Sequence, residues 1–227
     1  MKIDCVIKLG GSLLYDIPLA KKMLRVLYES NNDNIVVTIG SGYLGEIYKK
    51  FLSDNNIEPK YNDSIRDWAN IQSINASIIA SLNNNYEVCN TIKEINETIL
   101  NNKIPIIDAR GFLSVYKNNL IQKSDVKSAS ICNYLDCQNL IIVTDVSGIY
   151  ESDPKLNKNA GIIKKISAEE LSRLGRTSVD DGLAEKIIEY NLNCYVLGIK
   201  NILEYQGKLD EEVFSTGTKI RRKIYEK

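Results

Sequence analysis

The 227-residue sequence predicts a three-layer α/β/α fold built on an open, mainly parallel sheet. Short apolar runs of strand length alternate with segments of helical periodicity along the whole chain. Two of those runs break on glycine turns that lead straight into helical patterns. No linker-like stretch or tandem repeat interrupts the alternation, so residues 1–227 are expected to form one domain.

The first element is the run before KLGGS. Ile3, Cys5, Ile7 and Leu9 alternate with Asp4, Val6 and Lys8, which reads as a mostly buried strand with Lys8 near its end. Gly10 and Gly11 let the backbone turn and approach a ligand closely, and Ser12 adds a hydroxyl; a tight surface turn is the alternative. Pro18 then opens a helix with Leu19, Met23, Val26 and Leu27 on one face, ending near Ser30 and Asn31. The same theme returns: a strand over Ile35 to Ile39 runs into Gly40, Ser41 and Gly42, with a helix from about Leu44. Paired junctions of this kind suit loops that present amides and helix N-termini to phosphate groups.

A polar helix is expected from Asp63 to Leu82, with Ile65, Trp68, Ala69, Ala76 and Ile79 facing inward. Its Arg66 and Asp67 line a pocket or face solvent. Tyr86 to Cys89 reads as a strand, Thr91 to Glu94 as a capping box, and Ile104 to Ala109 as another strand. A helix starts around Ser124 and Asp125, followed by a strand from Asn139. Ser167 and Glu170 form a second capping box on a helix that runs to Leu174 and stops at Gly175. One more helix follows Asp180 and Asp181, then a strand at Cys194 and a last strand near Ser215.

Lys+Arg and Asp+Glu both number 29, so no global basic field favours a nucleic-acid partner, and a small molecule is expected instead. No apolar run spans a bilayer and no basic-then-apolar leader opens the chain, which points to the cytoplasm and to no membrane partner. Five cysteines without a C-x-x-C pair read as reduced core residues. The chain has no histidine, which excludes imidazole bases and histidine triads. Phosphoryl transfer suits that limit, because it rests on positioning and on cations, amides and magnesium.

In order along the chain stand KLGGS at Lys8, the glycine turn at Gly40, SD at Ser124 and Asp125, TDVSGIYESDP from Thr144, GLAEK ending at Lys186, and TGT. This ordered set resembles the amino acid kinase superfamily over nearly the whole chain. The resemblance implies an ATP-dependent kinase using Mg2+, with no metal ligated directly by the protein. Its N-terminal half would bind the acceptor and its C-terminal half ATP, commonly in a homo-oligomer. By the same resemblance Lys8 and Lys186 would be catalytic cations and Asp125 their organiser. Gly10, Gly11 and Ser12 would meet phosphate, and Thr144, Asp145, Gly148, Tyr150 and Asp153 would surround the nucleotide. Gly40, Ser41, Gly42 and Arg66 would face the acceptor, with Arg176 a second anchor.

Within the superfamily, TSVDDG from Thr177 and CYVLGI from Cys194 look most like the archaeal kinases of methanofuran synthesis, which phosphorylate an aminomethylfuran methyl phosphate. Uridylate kinases are the main enzymatic alternative. Two departures from the superfamily pattern, Ser41 in a triple-glycine turn and Ser147 in a DVDG motif, motivate a third reading as a non-catalytic nucleotide-binding protein.

Overall fold

The computed structural model describes residues 1–30, 34–116, 123–174, 177–205 and 209–222. Asn31, Gly175 and Arg176 lie outside the described residues. The strands are β1 (Cys5–Leu9), β2 (Ile35–Ile39), β3 (Tyr86–Cys89), β4 (Ile104–Ile107), β5 (Asn139–Thr144), β6 (Lys165–Ser167), β7 (Asn193–Gly198) and β8 (Thr218–Arg221). They form one sheet in the order β3-β4-β2-β1-β5-β7-β8-β6. Pairing is parallel from β3 to β7, while β8 runs antiparallel to β7 and carries β6 parallel to itself.

The helices are α1 (Ile17–Glu29), α2 (Gly42–Asp54), α3 (Tyr61–Leu82), α4 (Ile92–Leu100), α5 (Leu113–Tyr116), α6 (Ser124–Tyr134), α7 (Ala168–Leu171), α8 (Leu183–Tyr190), α9 (Ile199–Glu204) and α10 (Glu211–Thr216). Strand residues alternate between two separate cores, which makes the fold three-layered. Val6, Val36, Ile142 and Val196 pack with Ile131 of α6 and Ile187 of α8. Ile7, Val37, Ile141 and Leu197 pack on the other face with Met23 of α1, Ile79 of α3 and Ile202 of α9. By this alternation Lys8 shares the face of Val6 and points toward α6.

Several boundaries differ from the sequence expectation. The helix after the second glycine turn starts at Gly42 rather than Leu44, and α3 starts at Tyr61 rather than Asp63. β4 stops at Ile107 rather than Ala109, because Asp108 turns the chain by accepting from the backbone N–H of Arg110. Thr91 caps α4 through Glu94 N, but the Glu94 carboxylate reaches Asn90 N instead of closing the reciprocal bond to Thr91. The Ser167–Glu170 box is complete, yet its helix ends at Leu171 rather than Leu174. The last strand begins at Thr218, and β6, α9 and α10 carried no sequence signal strong enough to predict them. A 3-10 turn over Gly11–Tyr15 follows the first glycines.

All five cysteines are free, four of them buried. Among the described residues no helix is long and apolar enough to cross a membrane.

Candidate active site

β1 is flanked by β2 on one side and β5 on the other, so the strand order reverses between β1 and β5. Ligands in open α/β sheets bind at the carboxyl ends of strands where the order reverses. KLGGS ends β1 and Thr144 ends β5 at that place, and Gly10 N donates to Val143 O at 3.0 Å across it.

Lys8 is buried, and its Nζ lies 2.7 Å from Asp125 Oδ1. The contact is ionic without hydrogen-bond alignment, and Oδ1 accepts no hydrogen bond. The other oxygen of Asp125 accepts from Asp180 N at 2.9 Å, while Asp180 Oδ2 accepts from Asp125 N at 2.9 Å. This reciprocal clasp ties the N-terminus of α6 to the loop before α8. Asp125 occupies the first turn of α6 and accepts from no amide of its own helix; the N-cap position is Lys123. Capping of α6 is therefore not its role.

Burial, and after it the charge of Asp125, pushes the Asp180 carboxyl up to about 6 from an ordinary 3.8. A carboxyl raised on folding binds more protons folded than unfolded between those two values, so stability falls as pH rises through that window. The penalty is absent below pH 3.8 and complete above about 6. An Asp180→Asn carbonyl can still accept from Asp125 N. This variant is expected to be more stable than the parent at pH 7.5 by about 1–2 kcal/mol, with the difference vanishing toward pH 4. Thermal melts at the two pH values check it.

The two glycine turns lie against each other. A Cβ on Gly11 would overlap the backbone of Gly42, one on Gly42 would overlap Gly11, and one on Gly40 would stand 2.9 Å from Gly11 N. Gly42 also has φ +50°, a left-handed conformation that favours glycine. The close approach explains why glycine stands on both sides of the junction. Gly11→Ala is expected to force the turns apart and cost about 1–3 kcal/mol, as overpacking of a rigid backbone contact does. A lowered denaturation midpoint checks this.

The segment after β5 lines a cavity of about 400 Å³ with Asp145, Gly148, Tyr150, Asp153, Lys155 and Ser178 among its walls. That volume lies in the range of small-ligand pockets. Asp145 is ion-paired with Lys155 at 2.7 Å, whose hydrogen bond holds its carboxyl below the usual range. Thr144 Oγ1 donates to Asp145 at 3.2 Å. Thr218 of the TGT motif accepts from Ile149 N and donates to Ile163 O, and Ser178 Oγ donates to Gly148 O. TGT thus braces the cavity wall, a role its position at the far end of the sequence did not reveal. Of the residues the sequence resemblance assigned to the nucleotide, Asp145, Gly148, Tyr150 and Asp153 line this cavity and Thr144 stands at the end of β5 beside it.

Two expected site residues are placed differently. Lys186 does not contact Asp125; its Nζ pairs with Glu189 at 2.7 Å and lies 5.1 Å from the centre of the Tyr190 ring. Arg66 is exposed and ion-paired with Asp63 within α3. Both pairs join residues three apart on one helix, where local partners compete with a distant site.

The model of the amino acid kinase family matches residues 5–197. The chain belongs to the amino acid kinase family. It is a kinase by class, since the family's members are phosphotransferases. The chain is 28% identical over 217 residues to the uridylate kinase of Pyrococcus abyssi, covering 87% of this chain and 91% of that one. It is 26% identical over 195 residues to a 5-(aminomethyl)furan-3-yl methyl phosphate kinase of Methanocaldococcus jannaschii, covering 85% and 86%. The crystal structure of the uridylate kinase from Archaeoglobus fulgidus superposes with a TM-score of 0.71 over 96% of this chain and 100% of that chain, at 19% identity.

In this amino acid kinase family member, two polar residues escaped the sequence reading. In the sequence Asp180 signals only a helix start, although a repeated acidic pair beside a glycine marks it out. Lys127 is buried among α3, α5 and α6; α6 is buried all round from Asp125 to Cys132 yet polar in sequence, so no amphipathic pattern marks which of its side chains turn inward.

Proposed function

We propose that the chain transfers the γ-phosphoryl group of ATP to a small phosphorylated metabolite, giving a diphosphate. The sequence resemblance favours an aminomethylfuran methyl phosphate as acceptor; the uridylate kinases among its relatives favour UMP as the alternative. The observation that carries the reading is Lys8, held by buried Asp125 at the strand-order reversal and next to two interlocked glycine turns.

In the proposed step an anionic oxygen of the acceptor phosphate attacks the γ-phosphorus, the bond to the bridging oxygen breaks, and ADP leaves with that electron pair. Lys8 stabilises charge on the equatorial oxygens, while the amides of Gly11 and Ser12 hold phosphate oxygens; the Gly10 amide is spent on Val143 O and fixes the turn. Asp125 fixes Lys8 and takes no proton. Lys186 serves as a second cation only after exchanging Glu189 for phosphate. Mg2+ would ride on the nucleotide phosphates, neutralising their charge; among the described residues no cluster of three acidic, cysteine or histidine side chains is arranged to hold a metal.

The N-terminal half would carry the acceptor at Gly40, Ser41 and Gly42, and the C-terminal half ATP at Thr144, Asp145, Gly148, Tyr150 and Asp153, within one domain. An apolar stripe of Tyr43, Ile47 and Phe51 exposed along α2 supports a homo-oligomer, and the composition supports a cytoplasmic location. The test is an ATP-consumption panel with the furan phosphate, UMP, isopentenyl phosphate and simple amino acids, with 31P NMR of the product. Folded protein that binds magnesium ATP yet transfers phosphate to none of them would replace this reading with that of a non-catalytic nucleotide binder.

A further inference from the structure

Lys127 is 4% exposed, yet no described carboxylate forms an ion pair with it. Its Nζ donates to Gln72 Oε1 at 3.0 Å and stands 5.3 Å from the centre of the Tyr116 ring. An ammonium has three donors, and among the described residues one is used. Burying a cation is costly unless it is paired and fully hydrogen-bonded, so this arrangement calls for an oxygen. Burial draws the Lys127 pKa down to about 8, which leaves the side chain charged at neutral pH.

The surroundings give the place. Lys127 shares a cavity of about 10 Å³, room for a single oxygen, with Thr38, Gln72, Tyr116, Ser124 and Ser128. Thr38 is bonded to Ser128 at 2.7 Å and sits directly beside Lys8 in the β1–β2 register, so the cavity is one strand away from the Lys8 centre. Gln72 Nε2 donates to Ile39 O, and Asn75 on the same face of α3 donates to the carbonyls of Gly40 and Ser41. One turn before Gln72 on that face, Trp68 Nε1 is a buried donor with no partner. Both under-used groups are donors, and both call for the same complement.

We propose that Lys127 is the specificity-determining cation of the acceptor pocket, and that the acceptor it selects presents an anionic or carbonyl oxygen to it, not a cationic group. The inference rests on the N-terminal half being the acceptor side of a kinase, and within that reading it favours the UMP alternative, whose base carries carbonyl oxygens, over the aminomethylfuran phosphate, whose aminomethyl group is a cation. At that volume the cavity admits one oxygen of an acceptor whose body lies outside it. Arg66 is paired with Asp63 on the surface, so the buried lysines among the described residues are Lys8, which Asp125 already holds, and Lys127, which has no ion-pair partner among them.

Calorimetric titrations with magnesium AMP-PNP saturating the nucleotide side test this on the parent, Lys127→Met and Lys127→Gln. Met removes the charge at similar volume; Gln keeps a polar link to Gln72 should Met fail to fold. The probes are UMP, inorganic phosphate and furfurylamine. UMP, inorganic phosphate or both are expected to bind the parent at least about tenfold more tightly than either variant, and furfurylamine is not. Preference for UMP alone identifies a carbonyl oxygen, and preference extending to phosphate an anionic one. Equal affinities in parent and variants, no binding of any probe by the parent, or a parent-selective furfurylamine site would each overturn the proposal. Lys127-dependent binding with no transfer in the acceptor panel would leave the oxygen-selective pocket standing and remove the kinase reading.

Discussion

Lys8→Ala is expected to lower turnover about a thousandfold, equivalent to about 4 kcal/mol in the transition state. The ammonium is fixed by Asp125 at 2.7 Å, so it meets developing charge without reorganising. The same ion pair means that the substitution also weakens the fold. Truncating Lys8 leaves the Asp125 charge buried beside Asp180, and removing one partner of a buried pair costs about 3–5 kcal/mol where nothing else neutralises the other. The two effects separate in a double variant. Lys8→Met with Asp125→Asn removes both charges, so it is expected to recover most of the lost stability and none of the turnover. Kinetics per folded molecule together with denaturation midpoints read the difference. A double variant that regained turnover along with stability would make Lys8 a structural residue.

Most of the layer order was legible because it depends on periodicities that burial enforces. β1, β2 and β7 follow their apolar runs closely, since a strand buried on both faces allows few alternatives, and the half-exposed edge strand β3 is marked by its flanking turns instead. The elements that escaped are short or marginal. β6 has three residues and α9 and α10 six each, and they are held by neighbours: Lys165 to Ser167 pair with β8, and Asn201 accepts from Gly198 N at the start of α9. Local patterns that short carry little information. At the candidate site the backbone features were easier to read than the charges. Paired glycines announce a close approach before the partner is known, as Gly11 and Gly42 do. The partner of a lysine is set by tertiary packing. Lys186 therefore found Glu189 one helical turn away, Lys127 went inside to Gln72, and Asp125 met Asp180 from 55 residues along the chain.

Asp125→Asn is expected to lower turnover about a hundredfold, or about 2.7 kcal/mol, while changing stability less than loss of Lys8 does, because the Asp180 carboxylate remains close enough to balance the Lys8 charge. The asparagine carbonyl can take over the bond from Asp180 N, which keeps α6 tied to the loop before α8. The amide NH2 then faces Lys8, and a donor stands where the ammonium had a carboxylate. Lys8 loses its anchor and its position, although its own charge remains. Removing the Asp125 charge also relieves the repulsion that raises the Asp180 carboxyl, so Asp180 is expected to titrate below about 6 in the variant. The direction of that shift is independent of turnover and can be followed by carbon-detected NMR of the carboxyl. A role confined to backbone architecture predicts unchanged turnover with the Asp180 shift present. An organising role predicts both changes together, and turnover within twofold of the parent in a folded variant would rule it out.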